Sequence, residues 1–211
     1  MSHLERAERE NKSQRAGQVS QETSMGAVSL LVFLSIWAAV SSGEAGSGGG
    51  AGEGDPVFSV RVKEYCSTFF PQTCDIKNYT DWYRVGSYCL KYFNTPLNFS
   101  DAEFSCRTKA PGGHLVSVHD KQANTQLLCI VMKYNASHPR IWMGGMELFQ
   151  SNKFIWMDGS GWNFDFWVPG QPDNTGNKED CVEMNWSNTG KWNDDRCHLQ
   201  KSFVCSFKNR V

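Results

Sequence analysis

The sequence predicts an α+β domain in which two helices are followed by short strands and long polar loops, stapled by disulfides. Three observations predict it. None of the 8 cysteines precedes Cys66, and an even count confined to one stretch reads as a disulfide framework. Two helical segments come first, Ser100 to about Lys109 and Asp120 to about Val131. Beyond Pro139, short apolar and aromatic runs alternate with Gly/Asn/Asp/Ser stretches. Helices followed by strands is the α+β order.

The chain of 211 residues divides into four parts. Residues 1–24 are a polar extension of mixed charge. Residues 25–45 carry the apolar run Gly26 to Val40, which rises only about 22 Å as a helix, short of a bilayer core. That length predicts a signal peptide, cleaved after Ser42 or Ala45, with Met1 or Met25 as the start. The alternative is a short signal anchor with Arg6, Arg9, Lys12 and Arg15 held on the cytosolic side. Residues 46–65 read as a Gly-rich linker, with 7 glycines among the 12 residues Gly43 to Gly54. Residues 66–211 are the folded domain.

Within the domain, Ser100-Asp-Ala-Glu103 reads as a capping box that starts the first helix and places Cys106 on it. Pro111-Gly-Gly113 ends that helix, and Leu115-Val-Ser-Val118 reads as a short strand. Asp120 caps the second helix, whose Ala123, Leu127, Ile130 and Val131 share a face. Ile141-Trp-Met, Phe154-Ile-Trp-Met, Val182-Glu-Met and Ser202-Phe-Val read as strands. Trp142, Trp156 and Trp192 read as core. Asn163 to Glu179 has little regular pattern, and a loop that long inside a domain is usually functional.

Composition narrows the function. The 21 basic and 22 acidic side chains leave a net charge of -1, which excludes the basic excess of a nucleic-acid or polybasic membrane-surface protein. No Ser/His/Asp or Cys/His catalytic set assembles, and oxidised cysteines are not nucleophiles. His114 and His119 do not share a helix face, which argues against zinc.

The informative cluster is Gln171-Pro-Asp173, Glu179 and Trp192-Asn-Asp194. Gln171 and Asn193 offer neutral carbonyls, while Asp173, Glu179 and Asp194 offer carboxylates. An all-oxygen, acid-rich set suits calcium, a hard cation with 6–8 oxygen ligands. A cis bond before Pro172 would turn Gln171 and Asp173 toward one point.

From about Cys74 to Phe207 the sequence resembles the C-type lectin-like domain family. The match rests on features in register: Trp82 to Cys89 with Tyr92, Cys106, Gly113-His-Leu-Val-Ser-Val118, Trp142-Met-Gly-Gly145, Gln171-Pro-Asp173, Glu179-Asp-Cys181, Trp192-Asn-Asp194, Cys197 and Cys205. Within the family it is similar to fish ladderlectin-type lectins, type II antifreeze proteins and eosinophil granule major basic protein, although the last is strongly basic. The resemblance implies the disulfides Cys106–Cys205, Cys181–Cys197 and Cys74–Cys89. Cys66 and Cys129 remain, either paired with each other or with Cys66 bridging two chains of an oligomer.

The resemblance also implies a function: Gln171, Asp173, Glu179, Asn193 and Asp194 hold calcium and a sugar together. The Gln-Pro-Asp order is the galactose and N-acetylgalactosamine type, with galactose-type glycans or glycoproteins as partners. Avidity would supplement a weak single site. A secreted defence or mucosal lectin follows, or a type II membrane protein if the leader is an uncleaved anchor. A non-sugar ligand, a protein or ice, is the alternative on the same fold. Three departures stand out. No ring follows the triplet in Asn174-Thr175-Gly176, which leaves Trp186 as the stacking candidate. The family's auxiliary calcium site is incomplete, with Glu147 as one ligand but Ser151 and Asn174 where acids are often found, which predicts one good calcium site. Asn185 begins a glycosylation sequon expected beside the site, where a glycan would obstruct binding, and Asn78, Asn98 and Asn135 begin three more.

Overall fold

A computed structural model describes residues 56–209, so the extension, the leader and most of the Gly-rich stretch lie outside the described residues. Helix α1 spans Pro56–Phe69. It begins inside the segment read as linker, ten residues before Cys66. The reason is an i, i+3, i+4 stripe: Val62 and Tyr65 are buried, and Cys66 is bonded to Cys129. The stripe is short and follows glycines, so periodicity alone did not reveal it.

Strands β1 (Tyr83–Val85) and β2 (Tyr88–Leu97) form a hairpin turned at Gly86, whose φ of +56° is costly for any residue with a Cβ. Helix α2 spans Phe99–Lys109. Its cap is Asn98, whose side chain accepts from the Asp101 N–H at 2.9 Å, and not Ser100. Glu103 does not reach back to complete a box. It is buried and turned inward, where it accepts from the Leu115 N–H at 2.9 Å and meets His114 Nδ1 at 2.7 Å. Strand β3 (His114–Leu115) leads to helix α3 (Lys121–Tyr134), capped by Asp120 through the Ala123 N–H at 2.7 Å. Leu127, Leu128, Ile130 and Val131 are buried on it, close to the face the sequence predicts.

The remaining strands are β4 (Ile141–Glu147), β5 (Phe154–Trp156), β6 (Cys181–Met184), β7 (Trp192–Asp195) and β8 (Lys201–Lys208). They join one sheet in the order β1-β2-β8-β4-β6-β7, with β3 on β8 and β5 on β4. The β4–β8 pair is parallel and the other pairs are antiparallel. Two glycines let β4 fit among its neighbours. A Cβ on Gly144 would stand 2.6 Å from the Leu115 carbonyl oxygen, and one on Gly145 would stand 2.6 Å from Val182. The Trp-Met-Gly-Gly sequence is therefore a packing requirement, with Trp142 fully buried beside them.

One apolar cluster lies under α2 and contains Trp82, Phe99, Trp142 and Phe203. The other gathers α3 with Met143, Trp156 and Trp192. The disulfides are Cys66–Cys129, Cys74–Cys89, Cys106–Cys205 and Cys181–Cys197. Three are the pairs implied by the resemblance, and Cys66 pairs within the chain. Among the described residues no helix is long and apolar enough to cross a membrane.

Candidate functional site

The β6–β7 hairpin is the platform. Its register sets Cys181 opposite Asp195, Val182 opposite Asp194 and Glu183 opposite Asn193. The Cys181–Cys197 bond closes its open end, and a loop of that size removes roughly 3 kcal/mol of unfolded-state entropy. The segment before β6 has almost no regular structure, yet its first half is fixed by rings. Trp162 stacks on Trp156 at 4.4 Å and meets Trp192 at 5.8 Å, and Trp167 meets Trp192 at 5.9 Å. Backbone bonds tie Val168 N–H to Trp192 O and Trp192 N–H to Phe166 O, both at 2.9 Å. Aromatic packing thus anchors the loop, and the following residues 170–180 reach the hairpin from a fixed base.

The Gln171–Pro172 bond is cis. Gln171 Nε2 donates to Asp173 Oδ2 at 3.2 Å, and the Asp173 N–H donates to Gln171 Oε1 at 3.0 Å. Asn174, Gly176 and Asn177 all adopt positive φ, the left-handed region that glycine and asparagine tolerate best. This turn folds the loop back on itself. Its backbone meets Asp194, which accepts from Asp173 N–H at 3.2 Å and from Asn174 N–H at 2.7 Å. Glu179 accepts from Thr175 N–H at 3.2 Å. Asp173, Glu179 and Asp194 are thereby gathered so that one oxygen of each lies within 4.8 Å of the others.

Gathering three acids has an electrostatic cost. Burial pushes the carboxyls of Glu179 and Asp194 above their ordinary values, and the neighbouring acids add to the rise. Asp173 goes the other way, because the Thr175 hydroxyl donates to it at 2.7 Å. Among the described residues, none of the three is in a salt bridge. Asn193 is 4% exposed, and its Oδ1 is buried with no hydrogen-bond partner. Carboxylates in no salt bridge, and an orphaned carbonyl oxygen on the residue next to Asp194 in the chain, fit a hard divalent cation with oxygen ligands.

Asn174 is the residue that sequence reasoning undervalued. It lacks the acid expected at its position, but it ties the loop together. Its Oδ1 accepts from Glu179 N–H at 3.1 Å, and its Nδ2 donates to Glu147 at 3.1 Å. Glu147 is buried and also accepts from Asn152 N–H at 2.6 Å, so it braces the loop. Its place directly after the triplet was the available signal. Trp186 is half-buried in the turn of the β6–β7 hairpin, just beyond the Met184–Trp192 rung. The Asn185 sequon shares that turn and is not beside Glu179. Asn185 Nδ2 donates to Pro139 O at 3.0 Å and its Oδ1 accepts from Gly190 N–H at 2.7 Å. Asn98 is committed to capping α2, Asn135 accepts from Ser137, and Asn78 is exposed.

Residues 95–207 match the family model of the lectin C-type domain. A protein named "Lectin" from Pleurodeles waltl is 37% identical over 117 residues, covering 56% of this chain and 68% of that protein. A "C-type lectin mannose-binding isoform" from Oxyuranus scutellatus is 36% identical over 127 residues, covering 59% of this chain and 80% of its own length. The crystal structure of the C-type lectin CEL-I from Cucumaria echinata superposes with a TM-score of 0.59 at 27% identity, covering 64% of this chain and 100% of the other. A herring type II antifreeze protein gives 0.56 at 29% identity, covering 61% of this chain and 97% of its own.

Proposed function

We propose that this chain, which belongs to the C-type lectin domain family, is a secreted lectin that binds galactose-type glycans through a calcium ion. One observation carries the reading: the loop around the Gln171–Asp173 triplet folds onto Asp194 and Glu179 and gathers three carboxylates that, among the described residues, are in no salt bridge. Carbohydrate binding follows from the family and from relatives that are lectins rather than enzymes.

Asp173, Glu179 and Asp194 would supply the charged ligands, and Gln171 and Asn193 the neutral oxygens. When bound, calcium offers open coordination positions to two neighbouring sugar hydroxyls. The protein's part is to orient those hydroxyls. The Gln171 amide donates on one side of the proline, and the Asp173 carboxylate accepts on the other. Exchanging amide and acid reverses this polarity at constant charge, which is how the triplet sets specificity. The relatives' names do not choose the sugar, because one of them is named mannose-binding. The order amide-Pro-acid in this chain is the reason to favour galactose.

The test is retention of the protein, expressed with its disulfides formed, on galactose-agarose and mannose-agarose in calcium. Galactose-selective retention that EDTA releases is the expected result. Retention on mannose alone would overturn the specificity. Retention on neither, by a folded protein that still binds calcium, would favour a non-sugar ligand, in keeping with the antifreeze neighbour and with the absence of a ring after the triplet.

A further inference from the structure

Asn193 stands directly across the β6–β7 ladder from Glu183. Its Nδ2 donates to Glu183 Oε1 at 2.9 Å and to the Asp194 carbonyl. Both partners are oxygens that can only accept. Turning the amide over would set its own oxygen against both of them. The orientation is therefore fixed, and Oδ1 is left on the other side, buried and without a donor.

Glu183 is 0% exposed, and a lone carboxylate there would be costly. Two cations meet that cost. Arg140 Nε donates to Glu183 Oε2 at 2.7 Å and its Nη2 reaches both Glu183 and Asp195. Lys201 Nζ lies 2.6 Å from Asp195 and 3.4 Å from Glu183. We infer that Glu183 is a positioning residue for the calcium site: held by Arg140 and Lys201, it grips the Asn193 amide so that the carbonyl oxygen is presented to the ion. This rests on the calcium reading above. Glu183 touches neither ion nor sugar in this scheme and acts only through Asn193.

The experiment is calcium titration calorimetry on the full chain as wild type, Glu183→Gln, Asn193→Asp and the double variant, with near-UV circular dichroism and melting temperature as controls on the fold. Glu183→Gln frees the amide to turn over and should lose about 10–100-fold in calcium affinity, the usual cost of a residue behind a metal ligand. Asn193→Asp alone sets carboxylate against carboxylate and should also weaken binding. In the double variant the symmetric carboxylate needs no orienting and can accept from the new amide, which relieves the repulsion on the Glu183 side while the Asp194 carbonyl still faces it, so part of the affinity should return. A merely structural role of Glu183 would give no such rescue. Folded single variants that both lose affinity, with no recovery in the double, would overturn the proposal. So would a folded Glu183→Gln with unchanged affinity. If Glu183→Gln does not fold, Glu183→Asp keeps the charge for Arg140 and Lys201 but withdraws the acceptor. Lower affinity in that variant supports the proposal and unchanged affinity overturns it. A wild type that takes up no calcium would sink the calcium reading itself, a different outcome from a wild type that binds while the double variant is not rescued.

Discussion

Two acidic clusters meet at the β6–β7 hairpin, one on its strands and the other joined to it through Asp194, and they differ in what surrounds them. Glu183 and Asp195 project beside Arg140 and Lys201, and each acid has a cation in salt-bridge contact. Asp173, Glu179 and Asp194 have backbone N–H groups and a hydroxyl, but among the described residues no ion pair. The first cluster closes its own charge and is part of the scaffold. The second leaves its charge open and asks for a cation from outside. Acidic content alone does not separate the two. Compensation does, and compensation is visible only once the strands are in register.

The sharpest way to break this contrast is to remove a cation from the closed cluster. Lys201→Met should destabilise the fold by about 3–5 kcal/mol, because it leaves buried carboxylates short of a partner. Chemical denaturation would measure this, and a loss below about 1 kcal/mol would mean the pairs are not balanced as described. The open cluster should answer differently. Asp194→Asn should weaken calcium binding by more than about 100-fold, beyond the effect of any residue behind the ligands. The melting temperature in EDTA should fall little or even rise, because a charge disfavoured by burial is gone.

The legibility of these parts in the sequence differed for physical reasons. Helix α3 was readable because Asp120 caps it and Leu127, Ile130 and Val131 recur at helical spacing. The start of α2 was misplaced because Ser100-Asp-Ala-Glu103 satisfies a local capping pattern, while the tertiary fold needs Glu103 to tie down β3. The three carboxylates were found because the triplet, Glu179 and Trp192-Asn-Asp194 lie in one order of chain. Glu183 passed unnoticed as the polar member of Val182-Glu-Met184. A lone acid in an apolar strand was the clue, but its partners Arg140 and Lys201 lie far away in the sequence.

Acidity gives a milder perturbation of the same contrast. In the ion-free protein Glu179 and Asp194 hold protons more tightly than in the unfolded chain. Their contribution to stability is therefore fully present below the unfolded carboxylate values and is lost as pH rises through the folded ones. Asp173 shifts in the opposite sense but is exposed, and solvent screens it. Calcium needs all three ionised. At neutral pH, calcium at about 100 times its dissociation constant should add about 2.7 kcal/mol, and the increment should shrink as pH falls toward about 4. Melting curves in calcium and in EDTA across that range would show it, and an increment independent of pH would contradict it. The smallest effect belongs to Trp186→Ala, which should leave galactose retention within about two-fold. A larger loss in a frontal-affinity assay would bring Trp186 back to the site.

The most direct test of the open cluster is calcium titration calorimetry on the wild-type protein with its disulfides intact. The expected result is one ion per chain, bound with an affinity near the 10⁻⁴–10⁻³ M of extracellular calcium modules. The absence of heat and of any calcium-dependent rise in melting temperature up to about 10 mM would contradict it. It would mean that the three carboxylates are a solvated loop and not a metal site.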